Sequence, residues 1–119
     1  MPGWLLCCIL ATAEQPTPWR VEVTAYCPCA KCCGRWADGR TASGVRARGK
    51  ILSAPRHIPF GTRISVPGYG VGVVRDRGGA IRDDRIEVLF PTHREALRWG
   101  RRRVTVWVRR TGPCRRQTP

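Results

Sequence analysis

Apolar and polar residues alternate with a period of two along several short segments of this chain. The segment RVEVTAY at 20–26 shows the pattern near the start, and RVTVWVR at 103–109 shows it near the end. Such alternation is typical of strands that bury one face. Four further strands are predicted between these two, at 51–53, 62–66, 70–76 and 85–90.

A single short helix is predicted before the last strand. Thr92 is a good N-cap residue, and Glu95 three positions later completes a capping box. Trp99 supplies an apolar contact, and Gly100 is suited to end the helix. Six short strands and one helix in about 90 residues favour a small mixed or antiparallel β-barrel.

The chain divides into four segments. Positions 4–13 are almost wholly apolar, and Ala11-Thr12-Ala13 has the form of a cleavage site, although no Lys or Arg precedes the apolar run. This beginning resembles a secretory signal peptide, so export is expected. The predicted organisation is a signal-like segment at 1–13, a linker at 14–19, the barrel domain with its Cys-rich loop at 20–110, and a basic tail at 111–119.

The chain is strongly basic, with 22 Lys and Arg against 8 Asp and Glu and a formal net charge of +14. Such a charge favours a polyanionic partner, which could be a nucleic acid, an anionic envelope polymer or an anionic lipid surface. The sequence has no helix-turn-helix, RNA-recognition or zinc-finger pattern, and its arginines are spread along the whole chain. A nucleic-acid partner is therefore not expected, and peripheral association with the envelope is.

Seven cysteines in so short a chain indicate disulfides or a metal site. Four of them are close together in the segment YCPCAKCCG, namely Cys27, Cys29, Cys32 and Cys33. Disulfides would staple the long loop at 27–49, as export and a small core favour. Zinc is the second alternative, although the C-x-C and C-C spacings are cramped for it, and His57 or His93 could add ligands. Reactive thiols beside Lys31 are the third alternative, and no cofactor is expected.

Two carboxylates lie where strands usually avoid them: Glu87 inside the fifth predicted strand and Asp76 at the end of the fourth. Alternation places Glu87 on the face opposite Ile86 and Val88. There it either points to solvent and pairs with an arginine, or acts as a catalytic acid whose pKa is raised by a partly apolar wall. The same alternatives hold for Asp76, whereas Asp83-Asp84 fits a solvated turn.

Motifs along residues 23–108 occur in the order of a known family. The matching segments are Thr24-Ala25-Tyr26, GRTASG at 39–44, PRHIPFGT at 55–62, VPGYG at 66–70, DRGGAI at 76–81, RIE at 85–87, and PTHREAL with the following WG at 91–100. Together they resemble the 3D domain, which is named for three aspartates. That family is a double-psi β-barrel related to the catalytic domain of membrane-bound lytic transglycosylase A, so the resemblance implies this fold.

The resemblance also implies an activity and a set of site residues. The related enzyme cleaves the β-1,4 bond between N-acetylmuramic acid and N-acetylglucosamine, so peptidoglycan glycan strands in the cell envelope are the implied partner. The family's second and third acidic positions correspond to Asp76 and Glu87. Glu87 is then the implied general acid and base, with Asp76 as its assistant. Substrate contacts are expected from the matched motifs, at Thr41, Tyr69, Gly78 and Gly79.

Two positions depart from the family pattern. Ala54 stands where the family has its first aspartate, and Asp83 stands where a glycine is expected. Glutamate at position 87 can replace aspartate chemically, because the two side chains have similar intrinsic pKa values. A non-catalytic domain that binds glycan with a degenerate acid set is the alternative to an active enzyme.

Overall fold

The structure is a computed structural model that describes residues 15–29, 39–78, 81 and 83–110. Its strands close into one barrel in the order β1-β5-β2-β4-β3-β6, with one short helix among the described residues. The predicted small β-barrel is thereby confirmed. The elements are β1 (Thr17–Tyr26), β2 (Ile51–Ser53), β3 (Arg63–Val66), β4 (Gly70–Asp76), β5 (Arg85–Leu89), α1 (His93–Trp99) and β6 (Arg101–Arg109).

Strands that are distant in sequence lie side by side in the barrel. The β1–β5 and β2–β4 pairs are parallel, and the β1–β6, β2–β5, β3–β4 and β3–β6 pairs are antiparallel. The three-residue strand β2 therefore lies between β4 and β5, which bring the two candidate acids to either side of it. Because of this strand order, residues of β1, β5, β2 and β4 lie next to one another in the sheet.

The interior of the barrel is filled by the apolar half of each alternating strand. Side chains from all six strands form this core, and the fully buried ones are Val21, Val23, Leu52, Ile64, Val74, Ile86, Val88 and Val106. Burying an aliphatic side chain of this size contributes about 1.5–3 kcal/mol relative to exposure. The period-two pattern thus identified the core-facing residues.

Two strands extend further than the sequence pattern predicts. Residues 17–19 belong to β1 and pair with the far end of β6, so this strand begins within the segment at 14–19 that was predicted as a linker. The nine-residue β6 offers backbone partners this far, which outweighs the low strand preference of Pro18. β6 begins at Arg101, two residues before the predicted start. Its first residues pair with β1, and the Arg101 guanidinium lies 3.4 Å from the Glu22 carboxylate.

The helix has the predicted ends. The Thr92 hydroxyl accepts a hydrogen bond from the Glu95 backbone N–H at 3.2 Å and donates to the Glu95 carboxylate at 2.9 Å. Gly100 ends the helix with φ at 72°, a left-handed conformation that glycine adopts without strain. Trp99 anchors the helix to the barrel by donating its indole N–H to the Val23 carbonyl at 3.1 Å.

In the described part of the chain no helix is long and apolar enough to cross a membrane. The signal-like segment at 1–13 and the basic tail at 111–119 lie outside the described residues, as do Cys32, Cys33 and Gly79. Export and the roles assigned to those residues remain predictions.

Candidate functional site

A row of polar residues crosses four neighbouring strands on one face of the sheet. Thr24 of β1 pairs with Glu87 of β5, Glu87 pairs with Ser53 of β2, and Ser53 pairs with Asp76 of β4. We call this row the acid face. Because adjacent strands are about 4.8 Å apart, the backbones of the two acids flank Ser53 at roughly 10 Å from each other. The structure therefore brings together the two acids that the sequence singled out.

The acid face is the outer side of the barrel wall. Ile86 and Val88, on either side of Glu87 in β5, are fully buried in the core, so Glu87 points the other way as predicted. Strict alternation would place Asp76 on the same side as the buried Val74. The β2–β4 register shifts between Leu52 and Ser53, and this irregularity brings Asp76 opposite Ser53. Bulges of this kind often redirect a side chain into a site.

Asp76 is held by three hydrogen bonds. One carboxylate oxygen accepts from the backbone N–H groups of Ala42 at 2.7 Å and Arg77 at 2.8 Å, and the other accepts from the Tyr26 hydroxyl at 2.7 Å. The Ser43 backbone N–H also donates to the Arg75 carbonyl at 3.1 Å, which seats the loop from Gly39 onwards against the end of β4. Both Asp76 oxygens thus act as acceptors, and the three hydrogen bonds fix the orientation of the carboxylate.

Glu87 has different surroundings. Its side chain is largely buried, and burial is the main cause that raises the pKa of its carboxyl above the ordinary value. The Thr24 hydroxyl donates a hydrogen bond that lowers the pKa of Glu87, while the nearby charge of Asp76 raises it and that of Arg85 lowers it. None of the ion pairs among the described residues includes Glu87. These surroundings are those of a largely buried carboxyl with a raised pKa, and they do not match an exposed ion pair.

Ser53 lies between the two acids with a buried and unsatisfied hydroxyl. The residue is 2% exposed, and its Oγ has no hydrogen-bond partner among the described residues. An unpaired buried hydroxyl costs about 1–3 kcal/mol. Gly78 packs over this position, because a Cβ built on it would lie 3.6 Å from the Ser53 Oγ and only 2.9 Å from the Ile81 side chain. The glycine at 78 is therefore explained by close packing beside the acid face.

Two predicted substrate contacts have structural roles. Tyr69 is 7% exposed, its hydroxyl donates to the Leu89 carbonyl at 2.7 Å, and burial raises the pKa of Tyr69 to about 12. The Tyr69 ring thus belongs to the barrel core, and its contact with substrate remains a prediction. Thr41 is 6% exposed and donates its hydroxyl to the Val45 carbonyl at 3.2 Å. It shapes the loop whose next residue, Ala42, holds Asp76.

The position of the missing family aspartate is part of the core. Ala54 is fully buried, its backbone N–H donates to the Asp76 carbonyl at 3.3 Å, and its carbonyl accepts from the Arg77 guanidinium at 3.1 Å. The same guanidinium donates to the Ile58 carbonyl at 2.7 Å and stacks over the Phe60 ring at 4.2 Å. Burial lowers the pKa of Arg77.

Three residues of the site were not singled out from the sequence: Tyr26, Ser53 and Arg77. Tyr26 had a signal, since it lies two residues after Thr24 in an alternating strand and therefore on the same face. Ser53 and Arg77 had none, because their positions depend on the register of β2 and on long-range backbone contacts.

A second cluster lies where β1 ends and α1 begins. Cys27 is fully buried, and its Sγ is 2.9 Å from the Cys29 Sγ and 3.9 Å from the His93 Nδ1. The Cys29 Sγ is 3.7 Å from the same nitrogen. Cys27 and Cys29 are not joined in a disulfide. We call these three residues the thiol cluster. The C-x-C spacing indicated that the two cysteines lie together, whereas His93 is far from them in the sequence.

Comparisons with known proteins agree with the fold. The family model of the 3D domain matches residues 53–109. YabE of Bacillus subtilis (strain 168), whose name refers to cell wall shaping, is 37% identical over 93 residues, covering 74% of this chain and 22% of the relative. "Cell wall-binding protein YocH" of the same organism is 36% identical over 76 residues, covering 60% of this chain and 26% of the relative. The chain thus spans about a quarter of the length of these relatives.

A solved structure of a variant of the E. coli lytic transglycosylase MltA, in its apo-2 form, superimposes with a TM-score of 0.50 at 27% identity. The similarity covers 62% of this chain and 28% of the other. The matched part of the sequence includes β3, β4, β5, α1 and β6, together with both acids. Residues 53–109 therefore belong to the 3D domain family, in a double-psi β-barrel related to that of MltA.

Proposed function

We propose that this protein is a lytic transglycosylase that cleaves the β-1,4 bond between N-acetylmuramic acid and N-acetylglucosamine in peptidoglycan. The similarity to MltA supports the reaction, and the relative named as a cell wall-binding protein supports the substrate. The place of action is then the cell envelope. The observation that carries the proposal is the environment of Glu87, which is a largely buried carboxyl with a raised pKa on the same face as Asp76.

Protonated Glu87 starts the reaction as a general acid. It donates its proton to the glycosidic oxygen, the bond between that oxygen and the anomeric carbon of N-acetylmuramic acid breaks, and N-acetylglucosamine leaves with a free hydroxyl. The Glu87 carboxylate then takes the proton of the muramyl 6-hydroxyl, whose oxygen bonds to the anomeric carbon and closes a 1,6-anhydro ring. One group thus serves as acid and then as base, and no water is consumed.

A raised pKa suits this role because the acid must hold a proton at the working pH and still release it. Burial is the largest cause of the raised pKa of Glu87, and the charge of Asp76 adds to it. Asp76 also supplies a fixed negative charge near the reaction centre, which would stabilise an oxocarbenium-like transition state. Its three hydrogen bonds keep that charge in place.

The test compares wild type with Glu87→Gln on purified sacculi, with muropeptides analysed by mass spectrometry. Wild type should release anhydro-muropeptides, which are lighter than the hydrolysed products by one water. Because the amide cannot exchange a proton, Glu87→Gln should lose about 10²–10⁴-fold in rate while keeping its fold by circular dichroism. Glu95→Gln in the first turn of α1, where glutamine can also complete the capping box, is the matched control and should retain full activity. Unchanged release by Glu87→Gln would exclude this role.

A glycan-binding module without catalysis is the second candidate function. Ala54 favours it, since an acidic position of the family is occupied here by a buried methyl group. Co-sedimentation with sacculi separates the two candidates when it is combined with muropeptide analysis. An enzyme binds and releases products, whereas a binding module sediments with the sacculi and releases none.

A further inference from the structure

The thiol cluster brings three metal-ligand side chains to one point. The Sγ atoms of Cys27 and Cys29 and a ring nitrogen of His93 all lie within 4.8 Å of one another. The two cysteines follow β1 directly, and the histidine is the first residue of α1. Thiolate and imidazole together are the donors that zinc prefers in proteins.

The fold itself brings the histidine to the thiols. The Phe90 backbone N–H donates to the carbonyl of Tyr26, the last residue of β1, at 2.8 Å, which continues the β1–β5 pairing one residue beyond the end of β5. The chain just after β1 therefore runs beside the chain just before α1. Cys27 is fully buried there, and Cys29 and His93 are half-buried, so the donors are largely protected from solvent.

The distances are close to those of a tetrahedral site. With zinc–sulfur bonds of about 2.3 Å and zinc–nitrogen bonds of about 2.0–2.1 Å, a sulfur and a nitrogen ligand are about 3.5 Å apart. The two sulfur–nitrogen distances are 3.9 and 3.7 Å. The two sulfurs are 2.9 Å apart, and zinc would separate them to about 3.8 Å by rotation of the side chains.

We propose that Cys27, Cys29 and His93 bind a zinc ion that ties the end of β1 to the start of α1. This is a structural role, and it is independent of the proposed glycan cleavage. The ion would fix the segment that follows Tyr26, whose hydroxyl donates to Asp76 at 2.7 Å. Metal at the cluster thus also steadies one side of the acid face.

By spacing alone, disulfides are favoured over zinc, because the C-x-C and C-C pairs are cramped for a four-cysteine site. His93 changes that balance, since a third donor from another part of the chain removes the need for all ligands to come from one short loop. A disulfide across C-x-C would also leave His93 beside a group that is a poor partner for it. The three donors are best explained as ligands of one ion.

The experiment measures metal in the full chain, purified under reducing conditions without chelators. Wild type should hold about one zinc per chain. His93→Ala and Cys29→Ser should lower zinc affinity by more than about 100-fold, which is the upper range for loss of a residue that only supports a ligand. His57→Ala, which changes the other histidine of the chain, is the matched control and should bind zinc as wild type does. Its ring is exposed and contacts Trp19.

Cobalt substitution of the wild type tests the donors without any mutation. Thiolate-to-cobalt charge-transfer absorption with the ligand-field bands of a tetrahedral site is expected, together with a lower melting temperature after chelation. Circular dichroism shows whether each variant folds. Zinc retained by folded His93→Ala, a cobalt spectrum without thiolate bands, or reduced protein that binds no zinc would each overturn the proposal.

Discussion

The two acids of the acid face flank the same serine, yet the β4 side and the β5 side of this face differ in how they treat a carboxylate. On the β4 side, Asp76 accepts hydrogen bonds from two backbone N–H groups and one phenol. On the β5 side, Glu87 accepts a side-chain hydrogen bond from Thr24, and burial is the largest cause of its raised pKa. The same functional group is thus fixed by hydrogen bonds on one side, and on the other it is largely buried with a raised pKa.

This difference shows how a short β-barrel can separate two acid roles with few residues. A carboxylate surrounded by donors favours its charged form, whereas burial without enough donors favours the neutral form. For the protonation of a carboxyl, the surroundings that its strand provides matter more than whether the residue is aspartate or glutamate. Glutamate can therefore stand at position 87.

The largest effect should follow removal of the fixed charge. Asp76→Ala leaves two backbone N–H groups and the Tyr26 hydroxyl without their acceptor and releases the loop that contains Ala42. We expect a loss of about 2–4 kcal/mol in the free energy of unfolding, measured with urea. Glu87→Gln is the comparison from the β5 side and should change stability much less. Equal losses in the two variants would contradict the difference between the two sides.

On the β5 side, the raised pKa of Glu87 should make the free energy of unfolding depend on pH. The pKa of Glu87 is raised in the folded state above its ordinary value of 4.5. Its contribution to stability is therefore fully present below that value and is lost as the pH rises through the folded pKa. Relative to wild type, Glu87→Gln should gain stability as pH increases over this range. Urea titrations at several pH values check it, and a constant difference between the two proteins would contradict the raised pKa.

The pH–rate profile should move in opposite directions when the two sides are changed. Asp76→Asn removes a charge that raises the pKa of Glu87, so the alkaline limb should shift to lower pH. Thr24→Val removes a hydrogen bond that lowers the pKa of Glu87, so the same limb should shift to higher pH. Product release from sacculi measured across pH tests both signs. Shifts in the same direction would contradict the assignment of Glu87 as the acid.

Much of the barrel could be predicted from the sequence, because burial follows a period of two in its strands. Alternation placed Glu87 opposite the core residues, and the capping signals located α1. The position of Asp76 could not be derived in this way, since it depends on a register shift between β2 and β4. The order of the family motifs singled out Asp76 together with Glu87, and the structure places these two acids on either side of Ser53.

Some of the residues that match the family motifs have a structural reason to be there. Tyr69 matched the family's turn but fills the core and satisfies the Leu89 carbonyl. Gly78 matched as well and is required by close packing against Ile81. Both histidines were possible ligands from the sequence, and the choice of His93 follows from the pairing of β1 with β5 and from where that pairing ends.

A smaller effect is expected at the residue between the two sides. The Ser53 hydroxyl is buried without a hydrogen-bond partner among the described residues. Ser53→Ala should therefore stabilise the protein by about 1 kcal/mol in urea unfolding. Thr62→Ala is a suitable control, because that buried hydroxyl donates to the Pro59 carbonyl at 2.8 Å and its removal should destabilise. Destabilisation by Ser53→Ala would show that the hydroxyl has a partner, and Glu87 would be the nearest candidate across the strand pair.

The smallest effect concerns the turn that joins the two sides. Asp83 has φ at 61°, a left-handed conformation that costs most residues about 1–2 kcal/mol and aspartate less. The 3D family has glycine at this position, and Asp83→Gly should stabilise the protein by about 0.5 kcal/mol, since glycine removes the strain but loses more entropy on folding. Asp84→Gly is the matched control: it gains no such relief, gives up the 3.2 Å ion pair with Arg103, and should destabilise. If both variants lose stability, the turn tolerates aspartate without strain, and the departure from the family pattern at this position has no energetic cost.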